Sequence, residues 1–82
     1  GHEDSLGKRL FVETASPPCG VCHSLEAAGA KGFIGPDLDA LKPDAHRIRT
    51  AIEQGVGAMP AYAEQLTDQE VTALVEFITS SQ

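Results

Sequence analysis

Cys19-Gly20-Val21-Cys22-His23 is the stretch of this sequence that decides the fold. Two cysteines separated by two residues, with a histidine directly after the second, match the pattern by which a chain attaches haem through two thioether bonds. One turn of chain places both sulfurs along one edge of the porphyrin and brings the next side chain beneath the ring. The motif therefore predicts one haem c, attached covalently through Cys19 and Cys22, with His23 as an iron ligand.

Three other uses of the two cysteines stay open at this point. A thioredoxin-like dithiol requires a βαβ context, and the sequence has no strand pattern of period two. A structural zinc site needs four ligands, but His2 and His46 are the only other histidines and no second ligand pair is recognisable. A disulfide between the two cysteines would close a very small loop and add little stabilisation.

The residues before the motif predict a short amphipathic helix and a break. The helix covers residues 4–14, with Asp4 or Ser5 as the N-cap. Residues 15–18 read Ala-Ser-Pro-Pro, and two consecutive prolines cannot continue a helix. We expect a stiff turn that delivers Cys19.

Two further helices are predicted after the motif. One covers residues 44–54 and stops at Gly55. The other begins at Thr67, which forms a capping-box pattern with Glu70. The apolar face of this last helix consists of Val71, Leu74, Val75 and Ile78. Helices joined by loops, without enough helix surface for a conventional bundle, predict an all-α fold that needs a core filler.

Two glycine-bearing segments, residues 29–42 and 55–61, are predicted to be irregular loops that wrap a buried apolar object. Met59, the only methionine, lies in the second loop directly before Pro60. A lone methionine commonly fills irregular core space. Because this chain also has a haem motif, and Gly57 and Pro60 shape the non-periodic segment around Met59, we interpret Met59 as the distal iron ligand. His46 is the competing ligand, but its position at a charged helix start favours a solvent-facing side chain.

Length and charge bound the class of protein. The 82 residues are expected to form a single domain, 1–82, in which residues 1–3 are a cloning remnant or disordered. No apolar run reaches the roughly 20 residues that span a bilayer, and the N-terminus lacks the layout of a secretory signal. The net charge of -6 argues against nucleic-acid binding and favours positively charged protein partners.

The chain resembles the class I c-type cytochrome family over almost its whole length. The matching pieces, in family order, are Gly7 with Phe11, the haem motif, residues 35–38 (Gly-Pro-Asp-Leu), Met59-Pro60, and residues 74–78 (Leu-Val-Glu-Phe-Ile). The resemblance implies three or more helices and long loops around one covalent haem. It also implies that the protein is an electron carrier and not an enzyme.

The resemblance assigns further roles to single residues. It implies contact between the first and last helices through Gly7, Phe11 and Phe77. It implies that the carbonyl of Pro36 accepts the N–H of His23. The tryptophan that often serves a haem propionate in relatives is absent. The candidate substitutes are Tyr62, Arg47 and Arg49.

Within the family, the chain looks like small bacterial cytochromes that accept electrons from periplasmic dehydrogenases such as sulfite dehydrogenase. The acceptor would be a cytochrome or an oxidase, and the location periplasmic, with any signal already removed. Docking would use the haem edge framed by Val21, Ala58, Pro60, Ala61 and Tyr62. The alternatives are a haem subunit of a larger dehydrogenase and a haem-based ligand sensor.

Overall fold

Four helices and one very short two-stranded ladder surround a central cavity in the computed structural model, which describes residues 5–81. The helices are α1 (Leu6–Arg9), α2 (Leu38–Leu41), α3 (Ala45–Gln54) and α4 (Asp68–Ser80), and the strands are β1 (Ser24–Leu25) and β2 (Ala30–Lys31). The predicted all-α class is confirmed, and the ladder is a small addition to it. The expectation for residues 1–3 lies outside the described residues.

The first predicted helix has two parts. The Ser5 hydroxyl accepts the Lys8 N–H at 3.1 Å and caps α1, as predicted, while Asp4 lies outside the described residues. After α1 the chain continues as a π-helical turn over Leu10–Thr14, which the Ala15 N–H closes on the Leu10 carbonyl at 3.1 Å. The wider turn lets Leu10, Phe11 and Ala15 all face the core, where each is at most 1% exposed.

The caps predicted for the two later helices are present. The Asp44 carboxylate accepts the Arg47 N–H at 2.8 Å at the start of α3, and Gly55 ends that helix. Thr67 accepts the Glu70 N–H at 3.1 Å and the Glu70 side chain accepts the Thr67 N–H at 2.8 Å. This reciprocal pair confirms the capping box, so that α4 begins directly after it.

The prediction of an irregular loop over residues 29–42 is wrong in part. The segment contains β2, which pairs antiparallel with β1, and the single-turn helix α2. Asp37 caps α2 by accepting the Asp39 N–H at 3.0 Å, and Asp39 in turn accepts the Glu26 N–H at 2.8 Å. Elements of two and four residues are too short to show a hydrophobic period, which is why the sequence pattern missed them.

The core joins the first and last helices. The rings of Phe11 and Phe77 meet edge to face with centroids 6.0 Å apart. A Cβ built on Gly7 would lie only 2.6 Å from the Cβ of Phe77, so this close approach requires glycine. The contact predicted for Gly7, Phe11 and Phe77 is therefore confirmed. The buried hydrophobic residues are Leu10, Phe11, Ala15, Leu25, Leu38, Ile48, Ile52, Tyr62, Leu66, Val71, Leu74, Val75, Phe77 and Ile78.

We predict that Gly7→Ala lowers the free energy of unfolding by about 1–3 kcal/mol, because the added methyl group overpacks the α1–α4 contact. Helix propensity alone would favour alanine by about 1 kcal/mol, so the expected sign is opposite to that of an exposed site. Denaturant titration measures the change. Lys8→Ala in the same turn is the control and should be close to neutral. An unchanged or raised stability of the Gly7 variant would contradict the packing described here.

Candidate functional site

A largely apolar cavity of about 560 Å³ lies between the helices and the two loops. All five of the predicted site residues contribute to its wall: Cys19, Cys22, His23, Pro36 and Met59. Phe11 and Ile78 connect this wall to the core between the first and last helices. The structure therefore brings together residues that are far apart in the sequence and places them around one space.

The cysteine motif begins with a 3₁₀ turn over Cys19–Val21. The Cys19 carbonyl accepts the N–H groups of Cys22 at 3.2 Å and of His23 at 2.9 Å, so the turn fixes where the thiols and the imidazole lie. Burial raises the pKa of the Cys19 thiol from 9.0 to about 11, with a smaller increase from the charge of Cys22 and an opposing backbone hydrogen bond. Reactive dithiols have lowered thiol pKa values, so this raised pKa disfavours the thioredoxin-like alternative.

The zinc and disulfide alternatives gain no support either. Within residues 5–81, no three side chains of the histidine, cysteine, aspartate and glutamate types converge on a point that could hold a metal ion. Cys19 and Cys22 form no disulfide. Covalent attachment of a prosthetic group remains the use that fits both cysteines.

The His23 ring is held in one orientation by the segment that follows the ladder. Its Nδ1 lies 2.8 Å from the Pro36 carbonyl oxygen. A carbonyl only accepts, so Nδ1 carries the proton and Nε2 keeps its lone pair. A Cβ built on Gly35 would lie 2.5 Å from Cε1 of His23, so only glycine leaves room for the ring at this position. The Gly35 N–H donates to the Cys22 carbonyl at 2.7 Å and ties this segment to the motif.

Met59 lies in a tight turn 36 residues after His23. The N–H and carbonyl of Met59 bond the carbonyl and N–H of Val56 at 2.8 and 3.1 Å. The Tyr62 N–H donates to the Ile52 carbonyl at 2.8 Å, which fastens the end of this turn to α3. The Met59 side chain is partly buried, packs against the core and lines the cavity.

Two side chains that sequence analysis did not single out for this role hold the proline turn before Cys19. Gln65 accepts the Ser16 N–H at 2.9 Å and donates to the Ser16 carbonyl at 2.7 Å. The Tyr62 hydroxyl donates to the Pro17 carbonyl at 2.7 Å. Prolines have no backbone N–H, so this turn cannot pair with a neighbouring strand. Side chains from the loop before α4 form the hydrogen bonds of its backbone groups instead. No local sequence signal marks Gln65, because its partner lies 49 positions away.

The other residues that the sequence analysis named around the haem lie in different environments. Tyr62 is buried, at 4% exposure, so its predicted place on an exposed docking surface is wrong. Its hydroxyl points inward and donates a hydrogen bond to the Pro17 carbonyl. Arg49 does not line the cavity and bonds Glu53, Asp68 and Thr72 instead. His46 is exposed, as expected, and also borders the cavity.

The residues of this cavity fit a haem. The wall is mostly apolar, as a porphyrin face requires, and the cavity volume is in the range typical of small-molecule sites. Ile34 and Val56 line the cavity while 70% and 63% exposed, so a flat apolar group placed there would cover them. The two thiols at one end supply the attachment points. Together these features define the site of a c-type haem protein.

Comparison with known proteins agrees with the site. The sequence family described as "Cytochrome C oxidase, cbb3-type, subunit III" matches residues 3–78, and the chain belongs to this family of c-type cytochromes. Cytochrome c-551 of Halorhodospira halochloris is 34% identical over 76 residues, which cover 92% of this chain and 96% of that protein. Cytochrome c-551 of Halorhodospira halophila is 26% identical over 76 residues, with coverages of 92% and 97%.

A solved structure is also similar. The crystal structure of the c-type cytochrome SorU from Sinorhizobium meliloti superposes with a TM-score of 0.88 at 46% identity, covering 93% of this chain and 86% of that one. The chain is thus a haem c-type electron carrier rather than an enzyme, and it carries one haem c attached through Cys19 and Cys22. No helix in residues 5–81 is long and apolar enough to cross a membrane.

We predict that Tyr62→Phe lowers the free energy of unfolding at neutral pH by about 1 kcal/mol, because the Pro17 carbonyl loses its donor. Burial is the main cause that raises the pKa of Tyr62 from 10.0 to about 12, and charges on Cys19 and Cys22 add to it only while these cysteines are free thiols. Because the pKa is higher in the folded state, the protonated phenol contributes its full stabilisation free energy below about pH 10. This stabilisation is lost as the pH rises through about 12. Stability measured across this interval should fall more steeply in the natural protein than in the variant.

Gln65→Ala is the matched control for this titration. It removes two hydrogen bonds from the same turn but no titratable group, so its stability loss should be the same at every pH. Equal pH slopes in the natural protein and the Tyr62 variant would contradict the assigned role of the phenol.

Proposed function

We propose that this protein carries single electrons between redox proteins of the periplasm, with His23 and Met59 as the two axial ligands of its haem iron. The observation that carries the proposal is that His23 and Met59 line one apolar cavity from two separate, hydrogen-bonded segments. Bound haem supplies the one-electron Fe(III)/Fe(II) change. The protein chain orients the ligands, excludes water and presents a docking surface.

The Pro36 carbonyl orients the histidine. By accepting the Nδ1 proton at 2.8 Å, it leaves Nε2 as the nitrogen available to the metal and raises the basicity of the ring. Gly35 lets the ring lie against the backbone at the same point. We therefore place Pro36 in the cofactor-binding set, as a residue that acts through His23.

The Met59 thioether is a neutral ligand on a turn that its own backbone bonds hold. A thioether ligand opposite a histidine raises the reduction potential. If His23 and Met59 both held the iron, it would have no open position for a substrate or a gas. This arrangement favours a carrier over the ligand-sensor alternative.

We predict that Met59→Ala abolishes the weak near-infrared absorption band of thioether-ligated ferric haem. The reduction potential should fall by more than about 59 mV, a tenfold change in the one-electron equilibrium constant. Visible and near-infrared spectra with potentiometric titration measure both effects. Val56→Ala, in the same turn but without a ligating atom, is the control and should keep the band. A natural protein without the band would overturn the Met59 assignment.

The proposed donor is a periplasmic dehydrogenase, such as a sulfite dehydrogenase, and the proposed acceptor is a cytochrome or an oxidase. Two observations support docking of such partners. The net charge of -6 steers basic surfaces towards the protein. Apolar side chains also lie exposed beside the cysteine motif, Val21 at 57% and Phe33 at 91%. Covalent haem in this family implies export, which is consistent with partners in the periplasm.

Phe33 extends the docking surface beyond the residues predicted from the sequence. A Cβ built on the preceding Gly32 would lie 2.6 Å from the Cys22 carbonyl carbon, and the Gly35 N–H bonds the Cys22 carbonyl. Phe33 is therefore carried on a segment that lies against the haem-attachment motif. Exposed aromatic residues are typical anchors of protein interfaces.

We predict that Phe33→Ala lowers the second-order rate constant for electron transfer to a basic cytochrome c by about three- to tenfold, because docking loses its aromatic anchor. The rate with a small inorganic oxidant should not change. Stopped-flow spectroscopy measures both rates. Val12→Ala is the control, since Val12 is 42% exposed but does not line the haem cavity, and both of its rates should stay unchanged. A loss of rate with the small oxidant would place the effect at the haem and not at docking.

A further inference from the structure

We propose that Arg49, on α3, is a positioning residue for the distal iron ligand, because it ties the helix that carries the Met59 turn to α4. The inference rests on the axial ligation of the proposed function and adds to it the contact that holds the second ligand in place. Both of the ion pairs found within residues 5–81 belong to Arg49, and one of them connects α3 with α4.

The turn that carries Met59 is bonded to α3 and to itself. It follows the helix directly, and Val56 and Met59 close it with two reciprocal backbone bonds. The Tyr62 N–H then returns to the Ile52 carbonyl of α3 at 2.8 Å. Because the turn is fastened to its own helix in this way, a displacement of α3 carries Met59 with it.

The histidine ligand is positioned from the other side of the fold. A Cβ built on Gly20 would lie 3.7 Å from the Phe11 ring, an ordinary contact distance, so the cysteine motif packs against Phe11. Phe11 in turn meets Phe77 of α4 with ring centroids 6.0 Å apart. His23, at the end of the motif, is thereby placed relative to α4. The separation of His23 from Met59 therefore depends on how α3 is held against α4.

Arg49 supplies the polar part of the contact between α3 and α4. Its Nη2 donates to the Thr72 hydroxyl at 2.6 Å, and its Nη1 lies 3.2 Å from the Asp68 carboxylate and 3.4 Å from that of Glu53. The Thr72 bond is partly buried, whereas the Asp68 side chain is 87% exposed, and exposed ion pairs contribute little. The bond to Thr72 is thus the main link. It is directional, unlike the hydrophobic contact of the two helices, so it restricts sliding of α3 along α4.

Loss of this link should raise the fraction of molecules in which the thioether is off the iron. Added imidazole binds ferric iron only in that fraction, where an Fe–N bond replaces the Fe–S bond and the iron stays Fe(III). Its apparent affinity therefore rises in proportion to the fraction. The bonds from Tyr62 and Gln65 to the proline turn still hold the far end of the segment. A rise of about three- to tenfold, and not a loss of ligation, is therefore expected.

The test is a titration of the ferric, haem-loaded protein with imidazole, followed through the near-infrared thioether band. Arg49→Met keeps the apolar stem but removes the donors, and should lower the dissociation constant of imidazole about three- to tenfold. Thr72→Val removes the main acceptor at nearly unchanged shape and should do the same; it also serves if Arg49→Met does not load haem. The double variant should differ little from Arg49→Met, because both changes remove one bond. Arg49→Lys keeps a charged donor and should recover part of the difference.

Ser5→Ala is the control for a general loss of stability. It removes the cap of α1 and leaves the bonds of Arg49 intact. Its imidazole affinity should equal that of the natural protein, because the thioether leaves the iron in a local opening and not by global unfolding.

Two outcomes would overturn the inference. One is an imidazole affinity of Arg49→Met and Thr72→Val equal to that of the natural protein. The other is a change in Ser5→Ala as large as theirs. The near-infrared band of the natural ferric protein separates this failure from failure of the proposed ligation. If the band is present and the variants do not respond, only the role of Arg49 is lost, whereas its absence overturns the ligation and this inference together.

Discussion

The chain encloses more space than its own side chains fill, and the rest of the structure depends on how that space is used. A domain of 82 residues buries a smaller share of its surface than a larger one, and here a cavity of about 560 Å³ lies between its helices and loops. Phe11 and Ile78 belong to the hydrophobic core and line the cavity as well. A haem in this space therefore completes the core, and its binding contributes to folding as ligand binding to a native state generally does.

The segments around the cavity are irregular but held in place, because their backbone groups have hydrogen-bond partners. The Pro36 carbonyl meets His23, the Pro17 carbonyl meets Tyr62, and Gln65 meets both backbone groups of Ser16. Within residues 5–81, no buried polar side-chain atom lacks a hydrogen-bond partner. These hydrogen bonds tie the loops to the rest of the fold, which favours a small rearrangement when an electron is gained or lost.

Whether the sequence predicts a feature depends on how far apart in the chain the residues that form it lie. The caps at Asp44 and Thr67 and the haem motif are local patterns, and they lie where the sequence places them. Gln65 and Ser16 are 49 positions apart, and nothing local relates them. Tyr62 illustrates the same limit, because an aromatic residue in an apolar loop suits a surface or a core equally well. Its burial is decided by the Pro17 carbonyl, which only the folded chain brings within reach.

The distribution of charge separates two properties that an electron carrier must adjust. None of the described residues lining the cavity is an aspartate or a glutamate, although the chain has 12 such residues in all. Apolar walls with few charges determine the environment of the iron, where electrostatic effects are strong. The acidic residues act outside it, where solvent and salt screen them within about 10 Å. Substitutions on the outer surface can therefore change partner recognition with little effect on the potential.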